Sequence, residues 1–169
     1  MSFATVVTSG IVGSALAFLL TRYTFPGRRI LAGLAYMPFT LPPLVGVLSF
    51  YYLVVGLDGL LPRFCEQRLG IGGLALRGPW AILLVHTYSF YVYFYAMIGA
   101  ALETVDVSQL EAARTLGAGR CRVFFRVMMP MLKPALLGAA LLTFMSSGAS
   151  FSAPYIFGNR YPMLSVEIF

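Results

Sequence analysis

The stretch Gly78–Leu102, GPWAILLVHTYSFYVYFYAMIGAAL, runs from end to end without an Asp, Glu, Lys or Arg. A helix rises about 1.5 Å per residue, so a stretch this long crosses the roughly 30 Å hydrocarbon core of a bilayer. Three more stretches share the property: Met1–Thr21, Ile30–Leu57 and Pro134–Asn159, the last with a more polar end. Over the whole chain 59% of residues are hydrophobic and only 11% are charged, against about 25% charged in soluble domains. The mean hydropathy is +0.83. These features predict an all-α protein, a polytopic transmembrane helical bundle of about four spans, forming a single domain over residues 1–169.

Working outward from the spans, the charges fall into loops. Arg22, Arg28 and Arg29 form one basic loop, and Arg114, Arg120, Arg122, Arg126 and Lys133 sit in another. Arg63, Arg68 and Arg77 lie in the intervening loop, and Arg160 in the tail. Cytoplasmic loops carry the excess of Lys and Arg, which places the Arg22–Arg29 and Glu103–Lys133 loops inside and both chain ends outside. The net charge of +6 is therefore read as topology and not as a nucleic-acid surface. Met1–Thr21 is not a signal peptide, because it lacks a basic start and stays apolar through Phe18–Leu20. Cys65 and Cys121 fall on opposite sides of the membrane in this topology and cannot pair. No His/Cys cluster has metal-ligand spacing.

The spans are predicted at Phe3–Thr21, Leu31–Gly56, Trp80–Leu102 and Ala135–Ser150, with a Gly-rich outer loop at Leu57–Arg77 carrying a short surface helix at Leu61–Leu69. Pro38, Pro42 and Pro43 interrupt the second span. Prolines there either make a flexing, pathway-lining helix or only kink an ordinary one. Tyr88, Tyr91 and Tyr95 share one face of the third span, which either lines a polar path or packs against neighbouring helices. His86 is a hydrogen-bonding residue or a proton relay. The fourth span is dense in Gly, Ala and Ser, as close helix packing in lipid requires.

Glu103–Pro134 is the informative loop. Ser108 followed by Glu111 fits a capping box, opening a helix over Gln109–Leu116 that ends at Gly117, a residue suited to a left-handed C-terminal position. A second, basic amphipathic helix is predicted over Arg120–Met129, ended by Pro130 and lying in the membrane interface. Glu111-Ala112-Ala113, three residues, Gly117, nine residues, Val127, one residue and Met129-Pro130 resembles the EAA loop of binding-protein-dependent ABC importer permeases. That pattern is Glu-Ala-Ala, three, Gly, nine, Ile, one, Leu-Pro, and every spacing is kept. The run EAARTLGAGRCRVFFRVMMPMLKPALLGAALLTF is similar to the branch handling ferric iron, polyamines, thiamine or sulfate.

The resemblance implies a permease of a bacterial cytoplasmic (inner) membrane working with ABC ATPase subunits, a second permease copy or half, and an extracytoplasmic solute-binding protein. No cofactor is expected on this chain, and ATP belongs to the partner ATPase. The coupling loop spans 103–134. Glu111, Ala112, Ala113, Gly117 and Pro130 are its expected ATPase-coupling residues; Ala112 and Ala113 offer a smooth face, and Glu111 serves as cap, charge partner or both. Tyr88, Tyr91, Tyr95, Pro42 and Pro43 are the candidate path-lining residues. Such permeases have six spans with the loop between the fourth and fifth. The expectation here is a chain lacking the first and last helices, or half of a larger fused permease.

Two other classes compete. A secondary transporter or channel needs ionisable groups within the membrane, and the spans carry only His86 and tyrosines. A membrane-embedded enzyme needs a nucleophile–base pair or paired carboxylates, and no span offers one. The sole lysine, Lys133, has no P-loop around it.

Overall fold

The computed structural model describes residues 1–55, 78–150 and 152–157, and among these every regular element is helical. In chain order they are α1 (Ser2–Arg22), α2 (Arg28–Ala35), α3 (Met37–Thr40), α4 (Pro43–Phe50, running into a π-helical turn at Tyr51–Val55), α5 (Pro79–Thr104), α6 (Val107–Thr115), α7 (Arg120–Gly148) and α8 (Ser152–Phe157). The expected outer loop, its surface helix and the end of the tail lie outside the described residues. Helices α1, α5 and α7 are each long and apolar enough to cross a membrane. They form a three-helix bundle in which each packs on the other two.

Helix α5 buries large residues, among them Ile82, Val85, Phe94 and Ile98, and the two helices packed on it bury mostly small or polar ones. The buried face of α1 is Thr5, Ser9, Gly13, Ala17 and Leu20, while α7 buries Leu132, Ala139, Thr143 and Ser147. The large residues of α7, Leu137, Leu141, Phe144 and Met145, point outward. Lipid tails are as apolar as leucine, so the helices gain nothing by hiding large side chains and instead gain contact by close approach. Gly13 marks the closest approach: a Cβ there would fall on the Tyr91 carbonyl oxygen and 2.6 Å from the Phe94 Cβ. Polar side chains join the helices. The hydroxyls of Thr8 and Thr87 lie 2.7 Å apart. His86 bridges to Ser147 (3.3 Å) and Ser150 (3.2 Å) through its two ring nitrogens.

The expected second span is not one kinked helix. It is broken into α2, α3 and α4, and Arg28–Thr40 and Leu44–Leu53 are bent by 108° from each other. The residue before a proline is pushed out of the α region. Leu41 and Pro42 each precede a proline, and both are extended, with ψ of 135° and 136°. Two consecutive extended residues take the chain out of its helical direction. At the earlier junction of α2 and α3, the Phe39 N–H bonds to the Tyr36 carbonyl, and the Ala35 carbonyl instead accepts a 3.0 Å bond from the Tyr91 hydroxyl.

Because the Gly13 contact is backbone to backbone, neighbours cannot yield. Gly13→Ala is expected to lower the thermal unfolding temperature in detergent, since overpacking costs about 1–3 kcal/mol. Gly99→Ala, at a glycine of α5 with open space around it, is expected to leave it unchanged or raise it. Equal temperatures for the two variants would contradict the close contact.

Candidate functional site

The loop between α5 and α7 is a short helix held on a firm footing. Val105 and Asp106 are extended, with φ of −67° and −69°, and reverse the chain out of α5. Val105 and Leu110 are buried in the bundle's core cluster, and Ala113 and Ala118 pack beside them. One side of α6 is thereby pinned to the membrane helices. Ser108, Gln109, Glu111, Ala112, Thr115 and Leu116 form the other, exposed side.

The start of α6 differs from expectation. Asp106, not Ser108, is the N-cap: its Oδ1 accepts the Ser108 backbone N–H at 2.9 Å. Asp and Ser cap comparably well, and the extended conformation that a cap needs falls at Asp106. Ser108 therefore sits inside the helix, and Glu111 completes no capping box. The hydrogen bonds from Ser108 hold the Asp106 carboxyl below its ordinary pKa.

The end of α6 is a Schellman turn. Gly117 N–H bonds to the Arg114 carbonyl (2.9 Å) and Ala118 N–H to the Ala113 carbonyl (3.1 Å). Gly117 has φ +80°, the left-handed region that β-branched residues avoid. Leu116, just before it, is 88% exposed. It lies one turn after the exposed Ala112 on the same side of the helix, and it was not among the sequence candidates.

Pro130 does not end the second loop helix. Arg120–Gly148 is one continuous helix containing a π-helical turn at Phe124–Met128, so the expected separate helix at Arg120–Met129 and the span from Ala135 are one element. A proline normally clashes with the carbonyl four residues back. Here the Met129 N–H bonds to the Phe124 carbonyl five residues back, and the wider turn makes room. The continuity ties the loop to the membrane: Phe124 packs on Phe18 of α1 (centroids 5.8 Å) and Arg22 Nη2 lies 3.3 Å from Met128 Sδ.

The other candidates form a separate region. Tyr88 packs on Phe50 (4.9 Å) and Tyr95 on Tyr36 (5.0 Å), so with the Tyr91–Ala35 bond this face holds α5 to the broken span. Tyr88 and Tyr91 also edge an open, almost wholly apolar groove with Thr8, Trp80 and Thr87, while Tyr95 is buried. Pro42 is the N-cap of α4 and Pro43 its first residue. Among the described residues no group of three His, Cys, Asp or Glu could hold a metal ion.

A bundle of membrane-crossing helices with a pinned, outward-facing helix between two of them defines the chain as a polytopic helical membrane protein. The chain belongs to the family described as binding-protein-dependent transport system inner membrane component, whose model matches residues 9–168. It is 37% identical over 151 residues to the molybdenum transport system permease protein ModB of Escherichia coli (strain K12), covering 89% of this chain and 64% of that one. The sulfate transport system permease protein CysT of Salmonella typhimurium is 32% identical over 160 residues, covering 94% and 56%. The putative ferric transport system permease protein FbpB 1 of Haemophilus influenzae is 28% identical over 164 residues, covering 96% and 26%. The chain thus spans less than two thirds of the length of these relatives.

The cap and the Schellman turn can be probed locally. Asp106→Ala and Gly117→Val are each expected to speed amide hydrogen exchange across Val107–Leu116 while leaving α1 unchanged; Asp106→Asn should retain most protection. A carboxyl with a lowered native pKa contributes stability above its ordinary value and loses it as pH falls through the lowered one. Exchange in α6, after correction for its intrinsic pH dependence, should therefore rise only as pH drops below the usual Asp range. Exchange unaffected by Asp106→Ala would contradict the cap.

Proposed function

We propose that this chain is the permease subunit of an ATP-driven importer in the bacterial cytoplasmic membrane, and that α6 is the surface on which a separate ATPase subunit docks. The observation that carries the proposal is the two-sidedness of α6. Val105, Leu110 and Ala113 fix its inner side to the bundle, while Glu111 and Ala112 of the Glu-Ala-Ala motif, and Leu116 beyond them, face outward. A partner that pushes on such a helix moves the membrane helices with it, because nothing between them is free to absorb the displacement. Ala112 allows close approach, Leu116 supplies an apolar contact, and Glu111, relieved of a capping role, is free to pair with a cation on the partner.

The excess of basic residues around α6 supports a cytoplasmic location for it. A second permease copy or half and an extracytoplasmic solute-binding protein complete the transporter. Since the relatives include proteins for molybdenum and for sulfate transport, the proposed cargo is a small inorganic oxyanion. Tyr88 and Tyr91, on the groove beside the broken span, are the path-lining candidates, with Pro42 and Pro43 setting the bend.

In the assembled transporter, Ala112→Trp is expected to abolish co-purification of the ATPase and uptake of labelled oxyanion. Ala113→Ser, on the inner side, should preserve both. Glu111→Gln should reduce coupled uptake without releasing the ATPase. Normal uptake by Ala112→Trp would remove α6 as the docking surface. For topology, the exposed Cys121 should react with a membrane-impermeant thiol reagent only from the cytoplasmic side, in a variant whose other cysteines are serine.

A further inference from the structure

Helix α7 is 29 residues long, about 43 Å at 1.5 Å per residue, whereas about 20 residues cross the hydrocarbon core. Its first turns therefore project past the core at one membrane boundary. Arg22, which closes the charge-free α1, reaches Met128 of α7 and marks that level. On the bundle side of this part of α7 are the buried Val123, Met128 and Leu132, with Phe124 and Val127 packed beside them. Arg122, Phe125, Arg126 and Lys133 are all exposed, and Phe125 is 66% so. Helix α7 contains no Asp or Glu, and none of the three cations forms an ion pair among the described residues.

We propose that Arg122, Phe125, Arg126 and Lys133 form a binding site for the headgroups of anionic phospholipids. The charge complementarity is one-sided: three cations and an aromatic ring at the bilayer boundary, with no carboxylate on the same helix to neutralise them. Each residue has a place in the layer. Arg126 lies near the level of Arg22 and offers a planar fork to a phosphate. Lys133 lies about 10 Å further into the membrane by helical rise, and its aliphatic stem carries the ammonium back to the headgroups. Arg122 sits one turn further out, within reach of the same layer. Phe125 enters the boundary between headgroups and acyl chains, where aromatic rings anchor. Each cation near an anionic surface favours binding about five-fold, so the row selects a lipid with net negative charge over a zwitterionic one. The site does not depend on ATPase docking or on the identity of the cargo.

The test uses the permease with its cysteines replaced by serine and a single one introduced by Leu137→Cys, exposed one turn deeper in the membrane than Lys133, labelled with a fluorophore in mixed vesicles of phosphatidylcholine and phosphatidylglycerol. One lipid at a time carries brominated acyl chains, which quench on contact. Brominated phosphatidylglycerol is expected to quench about five-fold or more over brominated phosphatidylcholine at equal mole fraction, the preference of at least one cation. The ratio should fall towards one in R122Q/R126Q/K133Q and in high salt, which screens exposed charge. Lys133→Gln alone should lower it part-way, so the proposal stays testable should the triple variant fail to insert. Equal quenching in the native protein, or a preference that survives both substitution and salt, would overturn it. Absence of quenching by either lipid would also overturn it, since a protein surface would then cover this face.

Discussion

The contact of α1 with α5 at Gly13 is the constraint on which the rest of the bundle depends. In a bilayer no hydrophobic force holds one helix to another, and association rests on close van der Waals contact and a few hydrogen bonds. Gly13 brings the α1 backbone against the Tyr91 carbonyl, and the small residues Ser9 and Ala17, one turn either side, are fully buried with it. That approach brings the Thr8 and Thr87 hydroxyls within bonding distance. It also sets the direction in which α5 presents its tyrosines.

The tyrosine face of α5 in turn decides what the prolines of the second apolar stretch can do. A broken helix at membrane depth leaves carbonyl groups that lipid cannot satisfy. Tyr91 lies opposite the break and donates to Ala35, while Tyr36 and Phe50 pack on Tyr95 and Tyr88. The break is tolerated because α5 satisfies and covers it. The packing role is compatible with the proposed pathway role: Tyr88 and Tyr91 hold the broken span and also edge the open groove.

At the other end of the bundle, the loop helix is coupled to the membrane by continuity instead of by a hinge. The π-helical turn at Phe124–Met128 lets α7 pass Pro130 without stopping, so Gly119 at the loop and Gly148 at the far end bracket a single rigid element. Leu110 and Val105 press α6 onto its inner end. Phe124 in turn packs on Phe18 of α1, the contact through which the proposed docking of a partner on α6 would act on α1.

Much of this was legible in the sequence, for physical reasons that name their own limits. Charge-free stretches located α1, α5 and the half of α7 that follows Lys133, because burying an ion in hydrocarbon is too costly to leave ambiguous. The spacing from Glu111 to Pro130 located the loop, and Gly117 its left-handed turn, because few residues other than glycine adopt that conformation. What the sequence could not determine was each choice between near-equal local options. Asp106 and Ser108 are both good caps, and only the path out of α5 selects Asp106. Pro130 both ends helices and sits within them, and only the packing of Phe124 and Met128 on α1 keeps α7 continuous through a π turn. Ala112 and Ala113 are chemically identical, yet the bundle takes one and leaves the other outside. Pattern and composition determined that this chain crosses a membrane and carries a helical loop between two of its spans; tertiary contact alone decided which side of each helix is free, because that depends on what lies opposite.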